Sequence, residues 1–174
     1  MEIVEVRAFP INAAAKQKTK SRVPQIKNAS PMVSPMRRYP EFLPNWQGNW
    51  KDVACVVTAK DGTWGFGLGC FSPPVISIIE DHLGPLITGQ NCMATEKLYD
   101  VMQRATAYYG TSGLSSYAIS AIDIALWDIK GKRLEVPIFD LMGGKTRDRV
   151  RCYMHVGSGD LGSADDLAKD ALNA

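Results

Sequence analysis

The sequence predicts an α+β domain in which a small antiparallel sheet is followed by three helices. Two observations carry this. Lys51–Lys60 and Thr63–Cys70, flanking Asp61-Gly62, form a strong hairpin pattern after a first alternating strand at Glu2–Asn12. From Pro73 onward, apolar residues recur at steps of three and four through three successive segments. Strands grouped first and helices after them give a helical layer on one face of a sheet.

Composition agrees with a folded piece of this kind. The chain has 174 residues, 45% hydrophobic and 22% charged, which suits one globular domain with part of a second. A net charge of +2 gives no electrostatic reason to expect nucleic acid or membrane as a partner. The most basic stretch, Lys16–Arg22, lies in a polar segment and reads as a solvated loop. No apolar run is long enough to span a bilayer. Met1-Glu2-Ile3 opens straight into a strand pattern without signal-peptide character, so the expectation is a cytoplasmic enzyme. Cys55, Cys70, Cys92 and Cys152 form no CxxC pair and are expected to be reduced and mostly buried.

Between the first strand and the hairpin, residues 13–50 carry many prolines, asparagines and basic residues with little periodicity, apart from a short strand pattern near Met32–Met36. Loops this long inside a compact domain are commonly functional. If Asp61-Gly62 is a two-residue turn, residue 60 faces 63 and residue 55 faces 68. Val53, Cys55, Val57 and Ala59 then share a face with Trp64, Phe66, Leu68 and Cys70. The opposite face of the second strand is Gly65, Gly67 and Gly69, which implies close approach of another strand or loop of the domain, or of a partner. No helix with a suitably placed acidic residue follows, so a dinucleotide fingerprint is excluded.

The first helix, from Pro73, places Val75, Ile76, Ile79, Leu83 and Leu86 on one face and stops at Gly89. The second runs from Ala94 to Tyr108 with Leu98, Val101, Met102 and Ala105 inward. The third, Ser115–Arg133, carries two apolar stripes and is expected to be central. Gly131, Pro137 and Gly143-Gly144 then punctuate the chain. Arg149–Val156 alternates as a strand, and Ser163 is an N-cap candidate for a helix over Ala164–Leu172.

No catalytic constellation is legible. Glu80, Asp81, Glu96, Asp100, Asp123 and Asp128 are dispersed on helices, where solvation or helix pairing explains them. No nucleophile elbow is present. His82 reads as structural, whereas His155 falls near the C-terminal end of a strand.

The run YAISAIDIALWDIKGKRLEVPIFDLMGGKTRD, from Tyr117 to Asp148, resembles the stretch that closes the N-terminal capping domain in the mandelate racemase/muconate lactonizing branch of the enolase superfamily. The resemblance implies a capping domain over 1–148 and, over 149–174, the first β/α unit of a truncated (β/α) barrel. A complete barrel takes roughly 250 residues. It also implies a Mg²⁺-dependent enzyme abstracting the proton α to a carboxylate, stabilising an enediolate and eliminating water from a sugar acid. In the family, the lysine bases and the three carboxylate Mg²⁺ ligands lie on later barrel strands. No catalytic or metal residue is therefore carried over onto this chain.

The family places its substrate-specificity lid over the segment Arg22–Trp50. Within it, Ser34–Phe42 looks most like the rhamnonate dehydratases, while Trp127–Lys132 and Tyr153–Asp160 look equally like galactonate or mannonate dehydratases. The rhamnonate group's upstream histidine aligns near Ile26 and its downstream arginine near Trp46. The resemblance makes Arg22, Arg38, Asn45 and Trp46 substrate-binding candidates, and His155 joins them from its place on the barrel strand. It implies a homo-oligomer at full length. The alternatives are a racemase, epimerase or cycloisomerase of the same branch, and a non-catalytic truncated chain.

Overall fold

The computed structural model describes residues 1–11, 38–39, 41–42 and 50–152. They fall into two units, 1–11 with 50–146 and the remainder. In the first, three antiparallel strands run in order β1 (Ile3–Ile11), β2 (Lys51–Ala59) and β3 (Trp64–Ser72). Helical segments follow: α1 (Pro74–Ser77), a π-helical stretch (Ile78–Leu83), α2 (Gly84–Ile87), α3 (Thr95–Thr106), α4 (Leu114–Leu134) and the short α5 (Ile138–Leu141). This is the predicted α+β order.

The hairpin exists, but its register differs by one residue from the two-residue-turn expectation. Cys55 pairs with Gly67 and Val57 with Gly65. The Ala59 N–H donates to the Thr63 carbonyl, so Lys60, Asp61 and Gly62 form a three-residue loop. Gly62, at a φ of 85°, supplies the left-handed residue such loops use. A one-residue slip exchanges the two faces of a strand. Gly65, Gly67 and Gly69 therefore share the inner face with Val53, Cys55 and Val57, while Trp64, Phe66 and Leu68 are exposed.

The element against the glycines is helix α4, not a strand, loop or partner. A Cβ on Gly65 would lie 1.9 Å from the Ala125 carbonyl oxygen, and one on Gly67 would lie 1.9 Å from that of Ala121. On Gly69 it would lie 3.3 Å from the Tyr117 oxygen. Four helical residues advance about 6 Å and two strand residues about 6.6 Å, so the two repeats match. The core fills the space around this contact with Val6, Val53 and Val57 from the sheet and Ile119, Ile122, Leu126 and Ile129 from α4.

Three details of the helices depart from expectation. The first helical segment buries Val75, Ile79, Leu83 and Ile87, whereas Leu86 is exposed. Pro85 has no N–H for the Asp81 carbonyl and its ring crowds that group, and the chain widens to i→i−5 bonding just before it. The Gly84 N–H accordingly donates to the Ile79 carbonyl, and the inward stripe shifts to steps of four. Gly131 does not punctuate α4 but lies buried within it, where a Cβ would meet the Val136 carbonyl at 3.1 Å. Glu135 ends the helix at a φ of 57°, with the Val136 N–H returning to the Gly131 carbonyl in a Schellman closure. Of the second α4 stripe, Ala121 is buried while Tyr117 and Ile124 stay exposed.

In the second unit, the Phe42 N–H donates to the Tyr39 carbonyl at 3.1 Å. Residues 149–152, the start of the expected barrel strand, are exposed and carry no regular secondary structure. The rest of that strand and the Ala164–Leu172 helix lie outside the described residues, as does the strand pattern near Met32–Met36.

Candidate functional site

Register places both ends of the long connection together. Ile11 pairs with Asp52 and Lys51 with Ser72, so one end of the sheet gathers Ile11, Trp50–Asp52 and Cys70–Ser72. Residues 12–49 leave and re-enter the domain there. At this end β3 takes three steps, Gly69 to Ser72, against two on β2, Val53 to Lys51. The extra residue is a bulge, a device that bends a strand and re-aims a side chain. Phe71 within it has a φ of 68°, an outlier for a bulky side chain. Its ring sits edge-on between Trp50 (centroids 5.3 Å apart) and Tyr117 (4.7 Å). Neighbouring Cys70 has its thiol pushed up by burial and then by the Asp52 carboxylate.

Of the residues expected to contact substrate, Arg38 is described: it is exposed, its guanidinium 5.8 Å from the Tyr39 ring. Arg22, Asn45, Trp46 and His155 lie outside the described residues. Of the five, Arg38 alone falls among the described residues.

Four of the dispersed carboxylates, Glu80, Asp81, Asp100 and Asp128, have structural tasks. Glu80 accepts the Ala8 N–H at 3.0 Å on the outer edge of β1, and Asp128 accepts the Phe66 N–H at 2.9 Å on the outer edge of β3. Each satisfies a backbone donor that an edge strand leaves open. Sequence spacing paired Asp128 with Lys132, a contact present at 2.7 Å, but not with the strand. Lys132 also donates to the Trp64 carbonyl at 2.9 Å and lies 3.9 Å from the centre of its ring. Lys130 reaches Thr95 Oγ1 at 2.9 Å and sits over Trp127. The Trp127–Lys132 wording thus fastens α4 to β3 and α3. Asp100 pairs with Arg104 across one helical turn, and Asp81 accepts from the Ser77 hydroxyl. Burial, and then Glu96, raises the Asp123 carboxyl pKa, with Lys130 opposing.

His82 Nδ1 lies 2.8 Å from the Tyr109 hydroxyl, a helix-to-helix-end contact that fits its structural reading. All four cysteines are free thiols, but only Cys55 and Cys92 are buried. Burial, reinforced by Glu80, pushes Cys55 up to about 12, which makes it a poor nucleophile. Among the described residues no three His, Cys, Asp or Glu side chains converge as a metal site would require. They do not fit a Mg²⁺ ion. No helix among them is long and apolar enough to cross a membrane.

A three-stranded sheet with glycines seated on a central helix, and a long connection leaving one sheet end, defines the kind of domain involved. The sequence profile described as "Mandelate racemase / muconate lactonizing enzyme, N-terminal domain" matches residues 48–143, and the chain belongs to this family.

Similarity extends to dehydratases and to solved structures of the branch. An L-rhamnonate dehydratase from Saccharopolyspora erythraea is 38% identical over 134 residues, covering 75% of this chain and 34% of that protein. A 3,6-anhydro-D-galactonate cycloisomerase from Zobellia galactanivorans superposes with a TM-score of 0.51 at 42% identity, over 54% of this chain and 27% of that one. A magnesium complex of a mandelate racemase/muconate lactonizing protein from Paracoccus denitrificans superposes with a TM-score of 0.70 at 25% identity, over 99% and 38%. The chain spans about a third of the length of the curated relatives it matches.

Proposed function

We propose that the chain is the capping part of an acid-sugar dehydratase, with 1–148 as the capping domain and 149–174 as the first β/α unit of a barrel. The observation that carries this reading is the 38% identity to an L-rhamnonate dehydratase over 134 residues. The whole protein removes the proton α to the carboxylate of a sugar acid and expels the β-hydroxyl as water. The resulting enol tautomerises to a 2-keto-3-deoxy acid. Mg²⁺, which the family resemblance implies, would be held by residues beyond those described. This part supplies substrate selection: Arg22, Arg38, Asn45, Trp46 and His155 are the proposed contacts, the cations suited to a carboxylate. The sheet end at Ile11 and Trp50 is where the segment bearing four of them joins the domain.

A chimera tests this. The chain replaces the matching N-terminal third of the Saccharopolyspora enzyme, and a panel of aldonates is assayed for 2-keto-3-deoxy acid. Turnover of at least one aldonate, with a preference altered by exchanging residues 12–49, is expected. A chimera that folds by circular dichroism yet dehydrates nothing would sink the reading. The 42% identity to a cycloisomerase favours a second reading, intramolecular rearrangement through the same α-proton step. An isomeric product without loss of water would identify it.

A further inference from the structure

We propose that the outer face of the three-stranded sheet is an interface with a second copy of this chain, stacked about a two-fold axis that runs along β2. Helix α4 and the core cover the inner face. On the outer face, the pairing across β2 sets Glu5 in one row with Trp64, Arg7 with Phe66, and Phe9 with Leu68. Phe9, Trp64, Phe66 and Leu68 are each 38–52% exposed, an apolar surface with aromatic anchors of the kind that centres an interface. Simple strand addition at the edges is obstructed. Glu80 takes the Ala8 N–H on β1, while Asp128 and Lys132 take the Phe66 N–H and the Trp64 carbonyl on β3. A partner therefore meets the face.

The charges on the face say what that partner is. The β1 column reads anion, cation, ring: Glu5, Arg7, Phe9. The β3 column, with the α4 side chains that border it, reads cation, anion, apolar in the same order: Lys132 over Trp64, Asp128 at Phe66, then Leu68. Each column neutralises itself within one copy, Glu5 with Arg7 at 3.4 Å and Asp128 with Lys132 at 2.7 Å. The fitting partner is thus neither acidic nor basic, but a surface with the opposite alternation, and this chain carries it. Rotation about an axis along β2 lays the β1 column of one copy over the β3 column of the other and keeps the order of the rows. Glu5 then meets Lys132 and Trp64, Arg7 meets Asp128 and the Phe66 ring, and Phe9 meets Leu68. A two-fold axis across the strands would set Arg7 against Arg7, which like charge opposes. Three nine-residue strands present about 14 Å by 30 Å, roughly 400 Å² per copy against about 800 Å² in a standard interface. The association is accordingly weak, with a dissociation constant of about 10–100 µM. None of this rests on the dehydratase reading.

Sedimentation equilibrium of the 174-residue chain, from about 5 to about 500 µM, tests the proposal. A monomer–dimer equilibrium is expected. Phe66→Lys and Arg7→Glu should each raise the dissociation constant at least about tenfold, and the two together should bring it back to within about threefold of the original. Within one copy β2 separates the two positions, so the rescue reports a contact between copies. If either single variant does not fold by circular dichroism, Phe9→Lys and Leu68→Glu make the same comparison one row along. A chain that stays monomeric to about 500 µM would overturn the proposal and give the face to another occupant. A dimer unaffected by these exchanges would overturn it too, by placing the interface elsewhere. Loss of the dimer in both single variants, without rescue when they are combined, would overturn the axis along β2 and the assigned pairing of the columns.

Discussion

Gly67 of β3 rests on Ala121 of α4 with no room between them: a Cβ at position 67 would fall 1.9 Å from the Ala121 carbonyl oxygen. The obstacle is main chain on a buried helix, so no side-chain rotation clears it. This contact, repeated at Gly65 and Ala125, sets the distance between sheet and helix layer.

Gly67→Ala and Gly65→Ala should therefore each destabilise the domain by about 3 kcal/mol or more, at the upper end for overpacked cores. Gly69→Ala, whose Cβ would meet its nearest atoms at 3.3 and 3.4 Å, should cost about 1 kcal/mol or less. Urea unfolding of the three variants checks the order. Equal losses at positions 67 and 69 would mean that the layers are not pinned at Gly67.

The hairpin shows how far the sequence carried. Alternation and Asp61-Gly62 located both strands, but periodicity cannot distinguish a two-residue from a three-residue loop, and that one residue decided which face was buried. The glycine triplet correctly signalled a close neighbour. That the neighbour is α4 follows from matching a four-residue helical step to a two-residue strand step, a long-range relation that no local pattern contains. Pro85 was visible, yet the wide turn it imposes, and hence Ile87 in place of Leu86 in the core, depends on how the helix meets β1: a Cβ on Gly84 would lie 3.2 Å from Val6 Cβ. Nothing in the identity of Phe71 marks a left-handed backbone, so its conformation is not legible in the sequence. Arg22, Asn45 and Trp46 follow from family resemblance and His155 from its place near the end of a strand, and the described geometry does not reach them.

Asp128 closes the β3 edge, so its loss should be felt on the strand as well as on its own helix. Asp128→Ala leaves the Phe66 N–H without its acceptor and should cost about 1–2 kcal/mol. Asp128→Asn keeps an acceptor and should lose less. Amide exchange at Phe66 should quicken in the alanine variant under native conditions. Unchanged exchange there would show that the 2.9 Å contact adds no protection.

Thiol chemistry should follow exposure. Cys152 is exposed and Cys70 partly so, while Cys55 and Cys92 are buried. Iodoacetamide should label Cys152 first, then Cys70, and reach the other two only in denaturant. Burial raises the Cys70 thiol, which slows its reaction further at neutral pH. Labelling of Cys55 in the folded chain would contradict its place in the core.

The hairpin loop offers a test with a defined pH sign. Asp61 accepts the Thr63 N–H at 3.1 Å and pairs with Arg133 at 2.7 Å, joining the loop to the end of α4. Its carboxyl is held below the usual range, first by the Thr63 backbone N–H, partly offset by desolvation, with the Thr63 hydroxyl and then Arg133 adding to the lowering. A depressed folded pKa favours the folded state above the unfolded value, about 3.9, and the advantage fades as pH falls through the folded value. Asp61→Asn should thus lower the urea midpoint at pH 7. The gap to the unsubstituted chain should narrow steadily in more acidic buffer, because protonation then removes from the unsubstituted chain the charge that the variant already lacks. The group is solvent-exposed, so salt should narrow the Arg133 part of the gap at pH 7 as well. A gap that stays constant between pH 7 and pH 2 would assign the loss to the changed side chain rather than to its charge.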